Sequence, residues 1–443
     1  MIIKVLILAL SVFYGLYTSD INLSLVVLVQ YFIGFLNLKY LLRVYASRAF
    51  VIYDLFYFIY GLLTILTQIE LIHDPFQDYF IHTDAAWSFF SMAEELSTRE
   101  WSDILSDRFF LVENMQQPLA IVFFAFLAKI CIFLGIINLR LFLRLHIFLI
   151  GSTIITLVYE GMSKYNNNQH RNFNLCLLFG LCSYLFITSA IFTRDIHVCF
   201  MNTLVVYTLV KFNNKWSLLA VILFIILAFG FRPGSGFIMA VFPICFYYHK
   251  IKDKMGAIIP FFILIVIVAI ALSSDYFTNM ASGKIDFYSK DLLRENKADG
   301  MFMRLHSLPF PINVIISVVY MFLMPLPITT YLIGTGNTFY TLPFLGSPFV
   351  LFPMLYVTIV HLISKNRNRL IAPIILASFI SYFATVFVSP DLRRAFATVP
   401  ALFMCYGIII DSVSKSKRKR FMGLSFPMIT AINIFFILYL YIE

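Results

Sequence analysis

The feature that most constrains this chain is a succession of apolar runs laid nearly end to end. They cover 2–18, 22–41, 50–72, 118–136, 141–159, 173–192, 196–211, 216–231, 234–248, 256–273, 311–333, 343–363, 370–388, 395–411 and 424–442. A helix of about 20 residues is roughly 30 Å long, the thickness of a bilayer's hydrocarbon core. A soluble core does not call for so many such runs. Of the 443 residues, 61% are hydrophobic and 13% charged, against about half and about a quarter in soluble domains. The expected fold is therefore all-α: a polytopic membrane protein of about 12–14 transmembrane helices. It forms a single transmembrane domain over 1–443, without a soluble domain or internal repeat. The first run carries Lys4 as its only charge and no small-residue cleavage site follows it, so it reads as a retained helix that also acts as signal.

The formal charge of +10 does not mark a nucleic-acid protein. The basic residues stand at the ends of apolar runs, where they orient helices, and not in a continuous groove interleaved with aromatics. Membrane lipids are the expected surroundings and nucleic acid is excluded as a partner. Cys131, Cys176, Cys182, Cys199, Cys245 and Cys405 all lie within apolar runs without CxxC spacing, which indicates neither a disulfide framework nor a zinc site.

Lys and Arg in short loops mark the cytoplasmic side. The clusters are Arg43/Arg48, Lys250/Lys252/Lys254, Lys365/Arg367/Arg369 and Lys415/Lys417/Arg418/Lys419/Arg420, with Lys164/Arg171 and Lys211/Lys215 as weaker members. Placing all of them inside, with a cytoplasmic N-terminus, demands an even number of crossings between neighbours. The run at 118–136 then does not span, and one of 311–333 and 343–363 dips or lies flat. The remaining loops all reach the outer face: 73–117, Arg194–His197, Arg232–Gly234, 274–310 and Ser389–Arg394. They hold most of the ionisable side chains that are not anchors, so chemistry is expected there.

The first outer loop reads His82-Thr-Asp84 and continues to Glu94-Glu95-Leu-Ser-Thr-Arg-Glu-Trp101. Asp84 suits the N-cap of an amphipathic helix lying in the interface, with Trp87, Phe90 and Leu96 on its apolar side and Glu94 and Glu95 on its wetter one. A carboxylate just above the bilayer also suits a general base for a sugar hydroxyl. Simple capping is the competing reading of Asp84. In Ile191-Phe-Thr-Arg194-Asp195-Ile-His197, three ionisable residues crowd a membrane boundary, a costly arrangement unless they are wet, paired or used. Either Arg194 holds a phosphate oxygen while Asp195 orients a hydroxyl, or the two close a helix turn as a pair. Phe231-Arg232-Pro-Gly-Ser-Gly236 breaks a helix, and Arg232 with free glycine-loop amides would make a phosphate clamp; a turn with a snorkelling arginine is the alternative. Arg304 and His306, where the 274–310 loop returns to the membrane, and Arg393 and Arg394, which oppose the positive-inside bias, complete the set of substrate-binding candidates. His146 and His361 read as packed or anchoring residues.

Asp84 opening a helix that ends Glu-Glu-Leu-Ser-Thr-Arg-Glu-Trp101 resembles the first periplasmic loop of the GT-C glycosyltransferases, which use polyprenyl-phosphate sugars. Gln117-Pro118-Leu119, Leu134-Gly135 and Asn138-Leu-Arg140-Leu-Phe-Leu-Arg144-Leu extend the likeness over about residues 80–160. The family's loop usually follows its first helix, whereas here two extra helices precede it, and a soluble C-terminal domain that many members carry is missing. The resemblance implies a catalytic base at Asp84, a polyprenyl-phosphate-linked sugar donor, a cell-surface glycan acceptor and a bacterial inner membrane. It is also similar to the serotype-converting glucosyltransferases that branch O-antigen. No cofactor is called for, since guanidinium groups can balance a lipid monophosphate; a divalent metal is not indicated. The rival readings are a Wzy-type repeat-unit polymerase and a lipid-linked sugar flippase or transporter. A reporter active only in the cytoplasm is expected to work when fused after Arg420 and to fail when inserted within 274–310. Equal activity at both positions would overturn the orientation.

Overall fold

The computed structural model describes residues 2–68, 95, 97–104, 118–191, 193–212, 215–247, 338–365, 367–388 and 396–421, with single positions beyond, up to 434. Among them every regular element is a helix. Besides a single turn at Trp101–Ile104 and a 3-10 turn at Ile410–Ser412, these are in chain order α1 (Ile2–Thr18), α2 (Ile21–Leu36, ending in a π turn Asn37–Leu41), α3 (Ser47–Gln68), α4 (Pro118–Phe133), α5 (Leu139–Tyr165), α6 (Gln169–Leu181), α7 (Tyr184–Thr188), α8 (Asp195–Lys211), α9 (Lys215–Phe231), α10 (Pro233–Met239), α11 (Thr338–Ile363), α12 (Ile371–Val388) and α13 (Val399–Ile409). Among the described residues three helices, Ile21–Leu41, Ser47–Gln68 and Leu139–Tyr165, are long and apolar enough to cross a membrane.

Helix α5 is the hub. Its apolar stretch is 83% buried, against 28% for α2 at the edge of the bundle. α3, α8 and α13 pack around it. Close packing is written into the sequence at Gly151, where an added Cβ would stand 2.6 Å from Ser189 Cβ. The helices are also tied by hydroxyls that donate to carbonyls of neighbouring helices: Tyr14 to Gly61 at 2.9 Å, Tyr57 to Val27 at 2.6 Å and Tyr60 to Gly180 at 2.9 Å. Between apolar helices such bonds give specific register where the hydrophobic effect gives none.

One end of the bundle collects the basic residues. Glu160, buried near the end of α5, accepts from the amides of Tyr45 (3.3 Å) and Ala46 (3.2 Å) and from Lys211 Nζ (2.8 Å). Lys211 also donates to the Arg43 carbonyl, and Lys164 to that of Lys211 at 2.5 Å. Arg171 grips Asp411 with both nitrogens, at 2.6 and 2.8 Å, and Arg418 stands 3.9 Å from the same carboxylate. The Tyr356 ring stacks on Phe421 at 4.0 Å, bringing the α11–α12 connection to the same end. His361 anchors that connection by accepting from the Asn368 amide at 3.0 Å. Five of the basic groupings read from the sequence thus share one end; the Lys250–Lys254 cluster lies outside the described residues.

The opposite end is built from caps. Asp20 caps α2 through the amides of Asn22 and Leu23, and its second oxygen accepts from Ile137 N at 3.1 Å. Asn22 donates to the Leu134 carbonyl at 3.0 Å. The α4–α5 turn is a Schellman motif: Ile136 N bonds Cys131 O, Gly135 N bonds Ile132 O, and Gly135 takes φ +65°, which a glycine adopts without a Cβ penalty. α4 does not run through to the basic end. Its last turn meets the α1–α2 turn, while Leu119 and Phe123, in its first two turns, meet Gly230 and Phe231 where α9 finishes.

Because the Glu160–Lys211 pair is nearly buried, with side chains 10% and 12% exposed, removing one partner strands a charge. Lys211→Ala is expected to lower stability by about 3 kcal/mol, read by thermal unfolding in detergent. A loss well under about 1 kcal/mol would show the pair to behave as an exposed one.

Candidate functional site

At the end of the bundle away from the basic residues, α4, α5, α8 and α9 converge on one cluster. α8 opens there because the Arg194 carbonyl accepts from His197 N at 3.0 Å, starting the first turn, with Asp195 in it. α9 closes there at Phe231. The chain bends at Arg232 and resumes as α10 with Pro233 at its first position, where its missing N–H costs nothing. Gly236 is required by this bend: a Cβ on it would stand 2.6 Å from Phe229 Cα.

Two consecutive residues of the bend engage two residues of the first turn of α8. Arg232 Nη1 donates to Asp195 Oδ1 at 2.7 Å, with side chains 15% and 10% exposed. The Phe231 ring stacks on His197, with centroids 4.9 Å apart and an interplanar angle of 14°. His197, 3% exposed, then reaches α5: its Nε2 lies 3.0 Å from His146 Nε2. Phe123 of α4 sits edge-on to both imidazoles, with centroids at 5.5 Å.

The level of this cluster follows from helix geometry. His146 is seven residues into α5, whereas His197 is in the first turn of α8. Because His197 is two residues into α8, the difference at 1.5 Å per residue starts α8 about 7–8 Å further along the bundle than α5. The Arg232–Asp195 pair is recessed behind the first turns of α5 and not set on the outermost rim.

The structure joins candidates that the sequence presented as separate motifs. Asp195 pairs with Arg232, 37 residues away; its neighbour Arg194 is the N-cap residue of α8. One expectation is corrected. The amides of Ser235 and Gly236 do not make a clamp for phosphate, because both donate to the Arg232 carbonyl, at 2.9 and 3.2 Å; a helix resuming at Pro233 consumes them. Glu95 pairs with Arg99 one turn on, and that segment is held to α4 by Lys129, whose Nζ donates to the carbonyls of Ser97 (3.2 Å) and Arg99 (2.5 Å) and lies 5.4 Å from the Trp101 ring centre. Asp84, Glu94, Arg304, His306, Arg393 and Arg394 lie outside the described residues. His146, set aside in the sequence as a packing residue, belongs to the cluster; a histidine within an apolar run was its only signal.

No group of three or more potential metal ligands occurs among the described residues. No family profile matches this chain, and neither curated proteins nor solved structures match it.

The bend's dependence on Gly236 gives a direct test. Gly236→Val must displace the Phe229 backbone and so separate Arg232 from Asp195. A stability loss of about 1–3 kcal/mol is expected, measured by thermal unfolding; an unchanged midpoint would show that the break tolerates a side chain.

Proposed function

We propose that this chain is an inverting membrane glycosyltransferase of the GT-C type, moving a sugar from a polyprenyl-phosphate donor to a cell-surface glycan on the periplasmic face. The observation that carries the reading is the Arg232–Asp195 pair at 2.7 Å, at the end of the bundle away from the basic anchors. A carboxylate that orients a guanidinium prepares its planar fork to meet a phosphate oxygen. The position also suits a lipid-borne phosphate, because the pair is recessed among apolar helices and does not stand on a solvated rim. Two further arginines from the sequence, Arg194 and Arg394, are offered to the same anion.

In this reading the acceptor hydroxyl loses its proton to Asp84 and attacks the anomeric carbon. The bond from that carbon to the phosphate oxygen breaks with inversion, and the lipid phosphate leaves toward Arg232. Arginine stabilises the departing anion in a water-poor cleft, where a fixed donor lowers the barrier by roughly 2–4 kcal/mol. The serotype-converting enzymes that branch O-antigen, part of lipopolysaccharide, are the subfamily this account favours.

Asp84→Asn is expected to abolish transfer while donor binding persists. Arg232→Gln should reduce turnover by roughly 100-fold. The readout is the mass of the surface polysaccharide repeat in cells expressing each variant: one hexose per repeat added by the wild type and absent with Asp84→Asn. Repeats that keep the hexose with Asp84→Asn, or chains arrested at one repeat when the protein is removed, would sink the reading; the second result would indicate a polymerase.

A further inference from the structure

His146 and His197 pose a physical problem that packing alone does not answer. Both imidazoles are enclosed by aromatic rings: Phe123 edge-on to each, Phe124 5.6 Å from His197, and Phe231 stacked on it. A phenylalanine at either position would fill the same space without burying polar nitrogens, which costs free energy unless they are bonded. The two Nε2 atoms meet at 3.0 Å, so one carries the hydrogen and the other offers its lone pair. Between them they form a directed bond joining α5, the most buried of the three long apolar helices, to the first turn of α8. Two residues before His197, that turn carries Asp195, whose carboxylate holds Arg232. The α9–α10 break is tied in as well, since Phe231 stacks on His197 and Arg232, the next residue, pairs with Asp195.

We infer that His146 is a positioning residue: through its Nε2 bond to His197 it fixes the first turn of α8 and thereby the orientation in which Asp195 presents Arg232 to a phosphate. This rests on the reading of Arg232 as a phosphate ligand. His146 itself touches neither Asp195 nor the anion in this account. Hydrocarbon packing leaves the rotation of an apolar helix loosely determined, because one lipid-like face resembles another. A single buried polar bond selects one rotation over its neighbours. The same bond links the candidate site to α5, whose far end holds the Glu160 contacts.

The test uses the full chain in phospholipid nanodiscs and geranyl monophosphate as probe, with affinity measured by calorimetry and stability by thermal unfolding. His146→Gln keeps a donor and an acceptor, whichever role the bond requires, whereas His146→Phe keeps the ring and removes both. Expected is a roughly three- to tenfold loss of probe affinity in His146→Phe, the size of one neutral hydrogen bond, with recovery in His146→Gln. A packing role would instead leave probe affinity unchanged in both. Arg232→Gln separates the two layers of the argument. If it leaves probe affinity intact, the phosphate reading fails and the inference with it; if it weakens binding while His146→Phe does not, the positioning role alone fails. Should His146→Phe not fold, histidine-labelled wild-type protein still decides. A nitrogen–nitrogen coupling across the two Nε2 atoms is expected, and its absence overturns the bond.

Discussion

Hydrocarbon offers no hydrogen-bonding partner to a peptide group or a charge, so a chain this apolar must satisfy its polar groups from within. That requirement orders the structure. Backbone groups are consumed by helices, and the hydroxyls of Tyr14, Tyr57 and Tyr60 donate to carbonyls of adjacent helices. Charges are driven to the two ends, where they play different parts. At one end lysines and arginines close helix termini and bind carboxylates in networks that staple loops; at the other, caps and turns dominate, and the charges are few and individually placed.

Helix α5 connects these two regimes. Near its last turns Glu160 gathers Lys211 and the amides of the α2–α3 connection. Two turns from its start, His146 meets His197. A helix buried on all sides cannot shift to accommodate its neighbours, because each face is already filled to close contact, as at Gly151. Whatever the α8 opening and the α9–α10 break do, they do against a fixed wall. Such a wall suits a site that must hold a phosphate in one orientation, and the proposed transferase reading draws on it.

Much of the fold was legible because its signals are local. Apolar length gave the helices, and the Lys and Arg at their ends gave the end at which they finish: Arg43, Lys164, Lys211, Arg171 and Arg418 do gather together. The α4 helix, from the 118–136 run, meets the end of α9 that lies away from the basic residues. Within the candidate site the types of residue were legible and their pairing was not. No stretch of sequence pointed to the ion pair that Asp195 makes with Arg232. The glycines after Arg232 promised open amides, whereas the resumed helix claims those of Ser235 and Gly236.

The sequence by itself determined that this chain is helical, strongly apolar and polarised, with basic anchors at one end. Hydropathy and charge act over a few residues, and a bilayer's thickness is a length that the chain can meet locally. Only tertiary structure decided which ionisable groups share a site. A distance of 2.7 Å between residues 37 positions apart, or of 3.0 Å between two histidines on different helices, depends on how three helices rotate and slide against one another. That is set jointly by the packing around α5 and by the polar bonds between helices, and no short stretch of sequence carries both.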